Sequence, residues 1–358
     1  MKSDFRVKKK NQHFVPKFLL KNFASDLDKR QINLFNHSSG KFITSASIKH
    51  QCKRDYLYGK DLHIENAFMA LETDISSILK KAMKDPKEFI EILIQDRLKI
   101  YEFVVFQYFR TTGSMQEIDE FINMLFHNMI KHDPRVSGFV DKYKISRSDP
   151  AIYNLKIGAD LVNVVFDLEI ALFEGDGRYF LLSDNPVIFT NPFLNLKGWG
   201  GSGLGLGCIG IIILLPISSK HCLALYDIGS YRLKKRYYHI LSKNDVDRVN
   251  KISIYNSVDN IYFDTEVQKE YIGELLQDPL LRPQTRFQSQ EFKEYRNKDI
   301  NRDNRLIIGG RKKPQFDTNL RSIPLLSYAF NRSLPETMDP SRPYVQQLRN
   351  ERNFNKHS

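Results

Sequence analysis

The stretch from Pro86 to Arg110 constrains the fold more than any other. In its second half Ile100, Phe103, Val104, Val105, Phe106, Tyr108 and Phe109 leave almost no face for solvent. A helix of that composition belongs in the middle of a core. Gln107 and Arg110 are its polar exceptions, and a buried arginine needs a carboxylate or a phosphate. The preceding block supplies acids. From Ile64 to Met83, the residues Ile64, Phe68, Leu71, Ile75, Ile78 and Ala82 form one apolar stripe, with Glu65 and Glu72 on the same shoulder of it. Two turns, roughly 10 Å along the axis, separate the two acids.

Around these helices the periodicity predicts an α+β fold, with an N-terminal helical half packed on a mostly antiparallel sheet in the C-terminal half. Gln31–Phe35 and Lys41–Thr44 alternate about His37-Ser-Ser-Gly40 and read as a hairpin. Further helices are expected around Met115–His132 and from Asp149-Pro150, where a capping residue precedes a good first helical residue. The pattern then changes. Arg178–Leu182, Val187–Thr190, Cys208–Leu215, His221–Tyr226 and Tyr231–Ile240 are strand-type runs. Lys197–Gly210 carries seven glycines around Trp199 and reads as a loop, either a flap or a connector. It lacks the Gly-Lys-Ser/Thr ending of a phosphate-binding loop and leads into a strand, which argues against Walker or Rossmann nucleotide binding.

The chain divides into a main α+β domain, residues 1–278, and a basic C-terminal extension, residues 279–358. The formal charge is +12, and its excess lies at the ends. From Pro279 to Ser358 there are 16 Lys and Arg against 8 Asp and Glu, and MKSDFRVKKK adds five positive charges against one negative. Basic residues interleaved with Phe and Tyr, as in Arg286-Phe287, Tyr295-Arg296 and Arg342-Pro-Tyr344, suit phosphate contacts and base stacking. Solubility, a protein partner or self-association through the extension are the plainer uses of such a segment. No apolar run approaches the length of a bilayer span, and the N-terminus has no apolar signal core, so no membrane partner and a cytoplasmic location are expected. Cys52, Cys208 and Cys222 form no Cys-x-x-Cys pair and read as reduced core residues.

His13 stands just before a helix expected to start at Pro16 and to dock through Val15, Phe18, Leu19 and Phe23. The positive helix end would keep its imidazole neutral, as a general base requires. The plainer role for His13 and its neighbour Gln12 is bonding to buried backbone. Ser183-Asp-Asn-Pro186 lies between two strands, where a loop presents groups from a rigid scaffold. Asp184 and Asn185 can also form an Asx-turn there.

These segments resemble the uncharacterised "domain of unknown function 4238" family. Gln12-His13-x-x-Pro16-x-x-x-Leu20-x-x-Phe23 resembles its opening motif. Glu65 and Glu72 resemble its paired glutamates, Gln107, Arg110 and Thr111 its Gln-x-x-Arg-Thr, and Ser183–Pro186 its Ser-Asp-Asn-Pro. Asn250 matches a late asparagine, and the similarity covers roughly residues 11–265. The resemblance implies kinship of fold and no assigned activity.

Read chemically, the residues point to a nucleic-acid phosphodiester hydrolase, a nuclease suited to a toxin or a defence effector. Its catalytic set would be His13, Glu72, Arg110 and Asp184, with Gln12, Gln107, Asn185 and Asn250 on the substrate. Glu72 and Asp184 would hold Mg2+ or Mn2+. The first alternative is a non-catalytic binding or effector module in which the same residues form a buried scaffold and the extension recruits a partner. The second is a nucleotide-modifying transferase using Arg110 and Gln107. Convergence of the four catalytic candidates in an open cleft separates the first reading from the scaffold.

Overall fold

A computed structural model describes residues 11–357, apart from 87–88, 132–134, 136–137, 139–141, 236, 266–267, 283–286, 293–305, 328 and 330–339. The basic N-terminal decapeptide, Arg286, Tyr295 and Arg296 lie outside the described residues. In chain order the elements are β1 (Asn11–His13), α1 (Lys17–Lys21), β2 (Gln31–Asn36), β3 (Lys41–Ser47), β4 (Lys53–Asp55), α2 (His63–Lys84), α3 (Phe89–Phe109), α4 (Thr112–Ile130) and α5 (Pro150–Leu161). There follow β5 (Glu169–Gly175), β6 (Leu182–Ser183), β7 (Ile188–Thr190), α6 (Pro192–Leu196), β8 (Ile212–Pro216), β9 (His221–Tyr226), β10 (Tyr238–Leu241), α7 (Lys243–Asn256), β11 (Asn260–Phe263) and α8 (Gln268–Leu276). The extension adds β12 (Phe287–Phe292), β13 (Leu306–Arg311) and α9 (Pro343–His357).

The fold is α+β, with its strands spread along the chain. A five-stranded sheet runs β10-β5-β9-β8-β7, and a four-stranded sheet runs β3-β2-β11-β6. All pairings are antiparallel except β10 with β5. Alternation along the five-stranded sheet sends its side chains into two cores. Ile170, Leu172, Ile213, Leu215, Leu223 and Leu225 face Ile100, Phe103 and Val104 of α3. Ala171, Phe173, Ile212, Leu214, Cys222 and Ala224 face Val246, Val249 and Ile252 of α7, together with Leu320, Ile323 and Ala329 of the extension. The sheet is therefore covered on both faces, and α3 is the central helix its second half demands.

Several local expectations shift. Helix α1 has five residues, and Pro16 is its cap residue instead of its first helical one. His13 belongs to β1, whose partner β4 lies four tens of residues downstream. Arg178–Leu181 is no strand, because its backbone bonds Asn250 (Leu181 N–H to Oδ1, 2.9 Å) and the Ser219 carbonyl. The expected strand at 208 begins at Ile212, since Asn191 and Asp227 hold the backbone at 209–210. The glycine-rich loop is docked: buried Arg342 donates to the carbonyls of Leu206 (2.8 Å) and Cys208 (3.1 Å) and to the Asp167 carboxylate. Arg342 thus serves packing and is not presented to a phosphate chain.

Candidate functional site

Arg110 ends the most apolar helix and is 1% exposed. Its Nη1 donates to Glu72 Oε1 at 2.8 Å, its Nε to Gln107 Oε1 at 2.9 Å, and its guanidinium lies 4.7 Å from the Phe68 ring centroid. Gln107 in turn donates from Nε2 to the Phe14 carbonyl at 3.0 Å, which ties the arginine to the residue after His13. Helical spacing explains the trio: Gln107 and Arg110 are one turn apart on α3, while Phe68 and Glu72 are one turn apart on α2. The paired helices therefore turn a cation, an acid and an aromatic face toward each other.

His13 sits beside this cluster. Gln12, fully buried, accepts the Tyr58 N–H at 2.6 Å and donates to the Gly59 carbonyl at 3.2 Å, so β1 is clamped to the loop before α2. The Tyr58 hydroxyl donates to the His13 carbonyl and packs against Phe68. Burial keeps that hydroxyl neutral, within electrostatic reach of Arg110, Glu72 and Glu65. The His13 imidazole is lowered from 6.5 to about 4, first by burial and then by the positive charges of Lys17, Lys53 and Arg110; its hydrogen bond with the Lys49 backbone works the other way. Nε2 of His13 and Nη2 of Arg110 are both buried with no hydrogen-bond partner. With the other ring nitrogen on the Lys49 backbone, Nε2 carries the lone pair of a neutral imidazole. A donor and an acceptor are left over in an otherwise satisfied region, with Arg110 within electrostatic reach of His13.

Asp184 goes elsewhere. Its two oxygens accept the backbone N–H groups of Val258 (2.8 Å), Asp259 (2.7 Å) and Asn260 (3.0 Å), and its electrostatic neighbours include Cys52 and Tyr262. Burial raises its carboxyl to about 6 against those three bonds. It shapes the turn between α7 and β11 and is not brought to His13. Asn185 accepts from Thr111 Oγ1 at 2.6 Å and donates to the Asn256 carbonyl at 3.2 Å. Asn250 holds Tyr179 and Leu181. Apart from Asn250, the predicted residues thus form two groups joined at the Arg110-Thr111 step: His13, Gln12, Gln107, Glu72 and Arg110 on one side, Asp184 and Asn185 with their turn on the other.

A divalent cation shared by Glu72 and Asp184 does not fit this donor set, since Asp184 is committed to three N–H groups and Glu72 to Arg110. Among the described residues no group of three or more His, Cys, Asp or Glu is placed to hold a metal.

Sequence reasoning passed over Tyr58, Lys17, Lys53 and Gly113. A Cβ on Gly113 would stand 2.5 Å from Asn185 Nδ2, so α4 can approach the Ser183–Pro186 turn only with glycine there. The lysines had a signal in the charge next to His13 and opposite it across a hairpin-like pairing. Tyr58 and Gly113 had none, because their partners are distant in sequence.

No curated protein and no solved structure matches the chain. A family model covers residues 11–266, the span that holds both polar groups just described. The chain belongs to the family described as Protein of unknown function (DUF4238).

Proposed function

We propose that the chain is a nucleic-acid phosphodiester hydrolase whose working residues are His13 and Arg110. The observation that carries this reading is the pair of buried, unpartnered atoms, His13 Nε2 and Arg110 Nη2. A neutral imidazole takes the proton of an attacking hydroxyl or water, and the spare guanidinium N–H meets the phosphate oxygen on which charge builds. As the new P–O bond forms the opposite one breaks, and the departing alkoxide takes a proton from solvent. Glu72, 24% exposed, orients Arg110 and borders a surface cleft of about 530 Å³ flanked by Ser76, Lys80 and Lys81. Lys17 and Lys53 add positive charge near His13, as a polyanion requires. Such an activity suits a toxin or a defence effector.

A second reading has its own observation, since Asp184 stands apart from the other three candidates and His13 Nε2 and Arg110 Nη2 are buried instead of open to a cleft. Gln12, Gln107, Asp184, Asn185 and Asn250 are all buried and bonded within the chain, which is what a non-catalytic scaffold for a binding or effector module needs. The test is incubation of purified protein with labelled single- and double-stranded RNA and DNA, with and without Mg2+ or Mn2+. Cleavage is expected, and H13A should lower it by about 100-fold or more with an unchanged circular dichroism spectrum. An unchanged rate in H13A removes this mechanism, and absence of cleavage on every substrate leaves the scaffold reading.

A further inference from the structure

The cleft bordered by Glu72 runs along α2 outside its apolar stripe. Ser76, Ser77, Lys80 and Lys81 share that side because they recur at three and four residues, and Met69 continues it toward the start of the helix. Phe18 of α1 lines the same cleft. Glu72, the acid of this lining, is held by Arg110 at 2.8 Å. The charge it leaves uncompensated belongs to Lys80 and Lys81, both exposed. Among the described residues none pairs with either lysine and none bonds the Ser76 or Ser77 hydroxyl. The neighbouring Thr73 hydroxyl, by contrast, donates to the Met69 carbonyl at 2.8 Å.

Two ammonium groups beside two uncommitted hydroxyls are a donor set for phosphate oxygens. The other end of the cleft is of a different kind. Met69 is 45% exposed, and half-buried Phe18 leans on Phe103 with ring centroids 5.8 Å apart. A planar, weakly polar ring covers such a surface. Eleven residues separate Met69 from Lys80, about 16 Å along the helix. That exceeds one nucleotide step of about 3.4 Å along a stacked strand. A duplex keeps its bases stacked on each other and offers this cleft phosphates alone, whereas an unpaired strand offers a base as well.

We propose that the cleft is the docking groove for a single strand of nucleic acid, with an unpaired base against Phe18 and Met69 and neighbouring phosphates at Ser76, Ser77, Lys80 and Lys81. The inference rests on the phosphodiester reading above, since Glu72 both lines the groove and orients Arg110. Fluorescence anisotropy of the full-length protein with short labelled RNA and DNA strands tests it, with the matching duplexes and adenosine monophosphate as competitors and strand integrity followed on a gel. The single strand should bind at least about tenfold tighter than its duplex or the mononucleotide. K80Q/K81Q should weaken strand binding and flatten its salt dependence by about 1.4 log units per decade, two contacts at about 0.7 each. F18L and M69S should each weaken the strand about fivefold, and M69S, at an exposed position, gives the answer if F18L disturbs folding. A duplex bound as tightly as the strand overturns the proposal, as does an unchanged salt slope in K80Q/K81Q. A mononucleotide that binds as tightly as the strand also overturns it, in favour of a free-nucleotide site. Strand binding of the expected kind without cleavage removes the hydrolase and leaves the groove. Cleavage and binding both untouched in K80Q/K81Q remove the groove and leave the hydrolase.

Discussion

His13 is the residue at which structure and chemistry are most tightly coupled. Its imidazole is held near 4 by burial and by Lys17, Lys53 and Arg110, against 6.5 in an open chain. Between those values the unfolded chain binds a proton that the folded chain refuses, so stability rises with pH across about 4 to 6.5 and is lost as pH falls through that window. H13N should flatten this part of the profile. Urea midpoints at pH 4.5 and pH 7 in the two proteins give the check, and an equal drop in both would show that other groups set the slope. At the same scale, Glu72 and Arg110 were legible in the sequence because an arginine on a helix without a polar face must have an acid, and the stripe on α2 put Glu72 at the required height. The partners of Asp184 were not legible, because they are backbone N–H groups of residues 258–260 and main-chain donors leave no mark in a sequence.

Among the elements, the long periodic ones were legible and the short paired ones were not. Helices α2 and α3 lie within a few residues of their expected bounds, because their apolar spacing is sustained over 22 and 21 residues. Strand β5 went unread although it lies inside the sheet, and β10 (Tyr238–Leu241) is much shorter than the expected strand Tyr231–Ile240, since its length is set by pairing with β5 in parallel. The junction between α4 and the Ser183–Pro186 turn depends on one missing side chain. G113A would push a methyl group onto the amide of Asn185, which is itself bonded to Thr111 and Asn256. We expect a loss of about 1–3 kcal/mol, measurable by chemical denaturation. A variant as stable as the wild type would mean that the turn moves freely against α4.

For the molecule as a whole, the boundary drawn at residues 278 and 279 separates charge but not packing. Leu320, Ile323 and Ala329 complete the core on the α7 face of the five-stranded sheet, and Arg342 pins the glycine-rich loop to Asp167. A chain ending at residue 278 should therefore lose cooperative unfolding, since each large apolar side chain removed from a core costs about 2–5 kcal/mol. Calorimetry of the truncated chain checks this, and an undiminished two-state transition would show that the extension is an independent appendage. The four-stranded sheet has a consequence for biosynthesis. Strand β2 pairs with β11, and Asn36 meets Asn260 across 224 positions of sequence. At about 5–20 residues per second on the ribosome, the β2–β3 hairpin emerges with an open edge and waits on the order of 10–45 s for its partner. A chaperone that shields nascent strand edges has its opportunity during that interval.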